Sequence, residues 1–473
     1  MEQPNRENRE EPPAAKVGGR KLIAIIIAVV VVLVALAVAA IYYLGQGSPC
    51  ATPASLAGAH PENSMASPSD ASPASMVRAT VGGGKAIIQV GTITVGFSIS
   101  LTGTFNVEGT NSLNGIKTAA QWINSHGGVT VQGSTYNVSL DFYDDQSNSG
   151  NIVQLYTKIV TQDGAEFLLA PYSSGLTTAA APIADQYDRV MLSHGGSADT
   201  IWTSTNRRNL VEVLSPASSY LKGALDWIKA NHPSDRIAAL YASDSFSTLA
   251  AQSAVAYAQS IGLRVVYNQS YPTTAIDLST ELNAAKLACA DDLIGGGHFN
   301  DGLLIMNQLK TVWTPKFVSL LVAVTEPTFQ TQLGATANKV TGPSQWESGV
   351  SYSPTLAQSL GLEWFGPTPA EFTQLYGNVT SGGSPSYHAA EAGASLLVLA
   401  DAIRKANSLN TTAVRTTLGT MHIMDFFGEF QINSRGLQTA HTMVLVQWQT
   451  GSLKLVQPAN VAERSVQYPY TGS

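Results

Sequence analysis

Residues 93–128 read ITVGFSISLTGTFNVEGTNSLNGIKTAAQWINSHGG. Ile93–Phe97 is a short apolar run, and Ser98–Gly103 behind it is rich in turn formers. Leu113, Ile116, Ala120 and Ile123 then recur at spacings of three, four and three. Those spacings draw one apolar stripe along a helix. Gly127-Gly128 stops it. The stretch therefore reads as strand, loop, amphipathic helix, stop.

The same order repeats along the chain. Val138–Tyr143 alternates like a strand and ends at Asp144-Asp145, and Ile152, Leu155 and Ile159 mark a second helix. Glu166–Ala170 is a strand, followed by the loop Pro171–Gly175 and a helix through Ile183. Val190–Leu192 is a strand, followed by Ser193–Ser197. Strands at Leu210–Leu214 and Arg236–Tyr241 bracket a helix over Tyr220–Ala230, and the alternation continues to a strand at 316–322. Strands alternating with helices of this length predict an α/β fold of doubly wound parallel sheets. There are enough strands for two sheets, hence two lobes.

In such sheets ligands sit at the carboxyl ends of the strands, where loops and helix N-termini gather. Those ends are Leu101–Glu108, Tyr172–Thr177 and Gly195–Ser197 in the first lobe. In the second they are Ser243–Ser247, Gly297–Asn300 and Leu321–Glu326. The loops supply hydroxyls and close backbone approach, and few catalytic groups. Tyr172 and Phe299 are candidate ligand walls, with ordinary core packing as the alternative; Glu108 is a candidate cleft acid, with a solvated surface glutamate as the alternative.

Other chemistries lack their residues. The 473 residues carry Lys+Arg 26 against Asp+Glu 33, a net charge of −7, which argues against nucleic acid as a partner. Two cysteines, Cys50 and Cys289, exclude a disulfide-dense scaffold and a Cys-rich metal site. The eight histidines form no ligand-spaced cluster, so no metal is expected. Ser173-Ser174 stands outside a nucleophile elbow. Gly295-Gly296-Gly297 lacks the Lys-Ser/Thr of a phosphate loop. Adjacent Asp144 and Asp145 on a strand end point apart and suit capping. Neither an enzyme nor a cofactor is expected.

Residues 22–44, LIAIIIAVVVVLVALAVAAIYYL, carry no charge over 23 positions. As a helix that run spans roughly 35 Å, enough to cross a bilayer. Arg20 and Lys21 precede it, so the N-terminus is expected in the cytoplasm and everything after Leu44 outside. A cleaved signal peptide ending near Ala37-Val38-Ala39 is the rival reading, but the run exceeds the usual core of about 7–15 residues. Residues 1–21 form a short tail, and residues 45–88, rich in Ala, Ser, Pro and Gly, a stalk.

Five segments now carry a resemblance. ISLTGTFNVEGTNSLNGIKTAAQWINSHGGV, LDFYDDQSNSGNIVQLYTKIV, LLAPYSSGLTTAAAPIADQYDRVMLSHGGS, SYHAAEAGASLLVLADAIRKA and FFGEFQINSRGLQ follow one another over about 78% of the chain. Together they resemble the branched-chain amino acid (Leu/Ile/Val) binding protein family, type I periplasmic solute-binding proteins of ABC transporters. The resemblance implies two lobes joined by a three-strand hinge and closing on a small ligand. It divides the chain into a first lobe at 89–215 plus 344–433 and a second at 216–343 plus 434–465. The crossovers are expected near Ser215-Pro216, Gly342–Gln345 and Ile432–Arg435.

It also implies roles. Ser174 matches the serine that holds a ligand carboxylate, with Ser173 beside it, and Ser197 matches the hydroxyl residue of the next loop. Gly195 and Gly196 take the positions that offer backbone groups to the ammonium and carboxylate. His298 or Phe299 aligns with the aromatic residue from the second lobe, Phe246 with another aromatic wall, and Glu108 with a position facing the ligand side chain. One departure stands out: the family's acid for the ammonium falls near Leu321, which cannot do that work. Glu326, Asp301 and Glu108 are the substitutes in reach, or the ligand is not an α-amino acid. The cysteine pair of some relatives is missing, because Cys50 lies in the stalk.

The expected function is thus an extracytoplasmic solute-binding component that takes an amino acid, amide or organic acid to an ABC permease, anchored to the membrane by residues 22–44. The alternative is a ligand-sensing ectodomain of the same fold. That reading requires a separate signalling partner, since 21 cytoplasmic residues cannot form a signalling domain.

Overall fold

The computed structural model describes residues 89–204 and 206–472. The expected tail, membrane segment and stalk (1–21, 22–44 and 45–88) lie outside the described residues. Among the described residues no helix is long and apolar enough to cross a membrane. The expected transmembrane helix falls on residues 22–44 and so is not among them.

The first sheet holds β1 (Gln89–Ile99), β2 (Val129–Val131), β3 (Ser134–Asp144), β4 (Phe167–Leu169), β5 (Met191–Ser193) and β6 (Leu210–Glu212). Their order is β2-β3-β1-β4-β5-β6, parallel except for β2. Because β1 has β3 on one side and β4 on the other, the winding reverses there, and a crevice opens beyond its carboxyl end. Helices cover both faces. α1 (Asn106–Ser125) buries the stripe read from the sequence, Leu113, Ile116, Ala120 and Ile123. α2 (Ser149–Thr161) and α3 (Ser174–Gln186) cover the opposite face through Ile152, Ile159, Leu176 and Ala180.

The second sheet repeats the plan with β7 (Arg236–Ala242), β8 (Arg264–Tyr271), β9 (Asp292–Gly296), β10 (Phe317–Leu320) and β11 (Thr341–Ser344), all parallel. Its winding reverses at β7, which lies between β9 and β8. α4 (Lys222–Asn231) and α5 (Ser245–Ser260) pack on one face, α6 (Ser279–Leu287) and α7 (Phe299–Val312) on the other.

The chain then returns to the first lobe. β12 (Glu363–Trp364), β13 (His422–Met424) and β14 (Glu429–Gln431) make a small third sheet that the sequence pattern did not announce. α8 (Pro369–Val379) and α10 (Thr411–Thr420) flank α9 (Tyr387–Ala406), which is buried from Tyr387 to Ile403. Finally β15 (Val444–Gln449) joins the second sheet antiparallel to β11, and β16 (Ser452–Gln457) pairs antiparallel to β15 at its edge.

Three crossings join the lobes, and they meet in one cluster. The Ser215 N–H donates to Gln345 Oε1 at 3.0 Å, and Gln345 Nε2 donates to the Ser215 carbonyl at 3.1 Å. Ser215 Oγ lies 2.8 Å from His441 Nδ1. The third crossing is thus at His441 and not at Ile432–Arg435. Residues 432–438 instead form a hairpin closed by Ile432 and Gln438. It is tied to the first sheet, because the Glu212 N–H donates to the Gly436 carbonyl at 2.8 Å and the Gln438 N–H donates to Glu212 Oε2 at 3.0 Å.

α9 reaches the centre of the first lobe because α1 lets it approach. A Cβ on Gly115 would lie 1.9 Å from the Ala389 carbonyl oxygen. Gly115→Ala is expected to cost about 1–3 kcal/mol through overpacking, read as a lower denaturant midpoint with unchanged slope.

Candidate functional site

The cleft between the lobes is built from helix starts. α1 carries Glu108 and Asn111 in its first two turns, and Phe105 stands at its N-cap. The loop after β4 brings Tyr172, and the first turns of α9 bring Tyr387, His388 and Glu391. From the other side, Asp244 caps α5 by accepting from the N–H groups of Phe246 (2.9 Å) and Ser247 (3.0 Å), which fixes Phe246 at the cleft. His298 is the N-cap of α7, its own N–H held by Asp301 Oδ2 at 2.9 Å. The segment after β10 supplies Val322 and Glu326.

These groups bond across the gap. Glu108 Oε1 accepts from the Phe299 N–H at 2.9 Å. The Tyr172 hydroxyl is 2.9 Å from His298 Nδ1. Asn111 Nδ2 donates to Glu326 Oε2 at 2.6 Å, and Glu326 Oε1 lies 2.5 Å from His388 Nδ1. At the rim, Asn300 Nδ2 donates to the Thr104 carbonyl at 3.2 Å. The lobes are closed on one another.

Burial sets the protonation of these contacts. It opposes a charge on His298, but Asp244, 3.6 Å from Nε2, together with Glu108 and Asp301, more than offsets it and lifts the imidazole to about 9. Asp244, opposed by burial and favoured by His298, falls to about 2. Tyr172 therefore accepts from a charged His298. The second contact differs. Burial lifts Glu326 to about 8 and drops His388 to about 3. At neutral pH it is a neutral hydrogen bond, the Glu326 carboxyl donating to Nδ1. Glu108 is raised by burial, against the pull of His298.

Behind these contacts lies a small cavity, lined from the first lobe by Tyr172, Gly195, Ser197, Tyr387, His388 and Glu391 and from the second by Tyr220, Phe246 and Val322. Closure is tight enough that its centre admits little more than a water-sized body. Larger depressions, at the back of the hinge around Lys222 and Pro458 and beside α2, are open to solvent.

Of the residues expected from sequence, Tyr172, Gly195, Ser197 and Phe246 line this cavity. Glu108, His298 and Phe299 form the contacts that shut it. Ser174 stands behind the wall: its Oγ accepts from the N–H groups of Ser197 (3.1 Å) and Ala198 (3.0 Å) and so holds the Ser197 loop. Ser173 is its buried neighbour and N-cap of α3. Gly196 is bonded through both backbone groups to Ser193 Oγ, while Gly195 is free to line the site, where a Cβ would strike the Tyr172 ring at 2.6 Å. Leu321 is core, with no exposed surface.

Tyr220, Tyr387, His388 and Glu391 were not singled out from sequence. The signal was there in YHAAE, where spacings of three and four put Tyr387, His388 and Glu391 on one helix face. A glutamate at the head of the mostly apolar run 392–400 reads as a buried acid.

Two alternately wound lobes, a triple crossing and a closed polar cavity between them define a two-lobed binding protein. The chain belongs to the periplasmic binding protein family, whose pattern it matches over residues 92–452. It is 23% identical over 392 residues to Leu/Ile/Val-binding protein homolog 7 of Brucella melitensis, covering 80% of this chain and 94% of that protein. Among solved structures it is similar to the leucine-binding protein LivK of Thermotoga maritima (TM-score 0.65, 16% identity, 77% of this chain and 98% of that one). It is also similar to LivJ of Streptococcus pneumoniae in complex with isoleucine (0.65, 20%, 78% and 100%). A solute-binding protein of R. palustris in complex with 4-hydroxybenzoate is similar as well (0.63, 16%, 76% and 95%).

Two outcomes follow from this geometry. Ser174→Ala leaves the Ser197 and Ala198 N–H groups without an acceptor, so it is expected to cost about 1–3 kcal/mol in chemical denaturation. Because His298 is raised from 6.5 to about 9, its stabilisation is full below pH 6.5 and lost as pH rises through 9. Glu326, raised from 4.5 to about 8, loses its share in the same direction but over the lower window from 4.5 to 8. His388, lowered from 6.5 to about 3, works the other way up to pH 6.5, so thermal midpoints should fall with rising pH above about 6.5, and His298→Gln should flatten the fall between about pH 7 and 9.

Proposed function

We propose that the chain is the extracytoplasmic solute-binding component of an ABC importer. It takes one small polar solute, an amino acid or a similar compound, between its lobes and hands it unchanged to a permease. The observation that carries this reading is the closed cavity, whose walls come from both lobes, Tyr172, Ser197, Tyr387 and Glu391 on one and Tyr220 and Phe246 on the other. A ligand touching both walls binds the closed arrangement better than the open one, which is the differential affinity that closure needs. Relatives named for leucine, isoleucine and valine, and neighbours holding isoleucine or 4-hydroxybenzoate, support a small organic solute. In this reading residues 22–44 anchor the protein with its N-terminus in the cytoplasm, and 45–88 hold the lobes off the membrane surface. Ser173, Ser174, Gly196, Glu108, His298 and Phe299 act by shaping and shutting the site.

The purified full chain, denatured and examined by mass spectrometry, is expected to release about one small molecule per protein. Added back, that molecule should reduce the radius of gyration in solution scattering. A radius of gyration indifferent to every solute that raises the melting temperature would sink the closure reading.

A further inference from the structure

Glu391 is the one group in the cavity whose chemistry is left unanswered. It is 1% exposed and lines the cavity, and neither carboxylate oxygen has a hydrogen-bond partner. Its surroundings are the rings of Tyr172, Tyr220, Phe246 and Tyr387. Among the described residues no lysine or arginine lines the cavity. The titratable groups facing it are Tyr172, Tyr220 and Tyr387, all neutral, His388, also neutral, and the Glu326 carboxyl. A carboxylate left alone there is costly. Four aromatic residues with one acid among them make a surrounding that favours an ammonium-type cation.

Resting on the solute-binding reading above, we propose that Glu391 is the counter-ion for a cationic nitrogen on the bound solute. The ligand class is then a compact solute bearing a protonated or quaternary amine. The acid that Leu321 cannot supply from the second lobe comes instead from a helix of the first. Without a ligand, burial keeps Glu391 protonated well above the ordinary carboxyl range. When the cation enters, the carboxyl proton leaves to solvent and the carboxylate and cation remain as a buried pair. Binding therefore releases up to one proton at neutral pH, and affinity rises with pH until the free carboxyl ionises on its own.

The test is calorimetry on the full chain, in two buffers of different ionisation enthalpy. The probes are ethanolamine, choline, glycine betaine, alanine and isoleucine, with isobutyrate and benzoate as solutes lacking nitrogen. At least one nitrogen cation is expected to bind at 1:1 with buffer-dependent heat showing proton release. Glu391→Gln should weaken it about 10- to 100-fold and abolish the buffer dependence. Its melting temperature without ligand should be unchanged or higher, since an unpaired buried acid has been removed, and this separates lost binding from lost folding. Saturable binding of isobutyrate or benzoate alone, or equal affinity in wild type and Glu391→Gln, would overturn the counter-ion while leaving a solute-binding protein. If no probe binds and denaturation releases no small molecule, the solute-binding reading itself falls.

Discussion

The cleft depends on polar groups of one lobe finding their partners on the other. Glu108 needs the Phe299 N–H, Tyr172 needs His298, and Glu326 needs both Asn111 and His388. Each contact is buried when the lobes meet and exchanged for water when they part. The net gain of such a bond over its hydrated components is only about 0.5–1.5 kcal/mol, although leaving it half made inside the closed cleft costs more. Closure is therefore close to balanced and all-or-none: a partly closed cleft would strand several of these groups at once. A solute that adds a few favourable contacts on both walls has enough leverage to decide the state.

The local pieces of this arrangement were readable from the sequence. The stripe Leu113, Ile116, Ala120, Ile123 is the buried face of α1, and the loops after β1, β4 and β5 do carry groups into the cleft, because winding order puts strand ends there. What pairs with what was not readable. Glu108 and Phe299 stand 191 positions apart, and no periodicity links them. Leu321 sits where an acid was expected, but packing and not chemistry governs that position. Ser174, which the family resemblance matched to a carboxylate-holding serine, has an oxygen that accepts from two backbone N–H groups, a partnership no local pattern announces. The later third crossing has the same origin: Gly436 with its positive φ makes a tight turn, and the hairpin docks on β6 before the chain leaves the lobe.

α9 carries a part of the first-lobe wall that is hard to tell from core in the sequence. A helix buried on all sides looks like pure core, and nearly all of it is. Its close approach to α1 past Gly115 and Gly393 places the first turns of α9 at the floor of the cleft, so Tyr387, His388 and Glu391 face the cavity while the next turns face packed side chains. The position of Glu391 is thereby fixed by helix packing, with no bond from its own carboxyl holding it there. A group positioned by backbone and left chemically unsatisfied costs stability in the empty protein. That cost is returned only when something cationic completes the site, so the same residue that weakens the unliganded fold sharpens the choice of ligand. Apolar or anionic solutes of equal size would have to leave the acid unpaired or keep it protonated, and they would gain nothing from it.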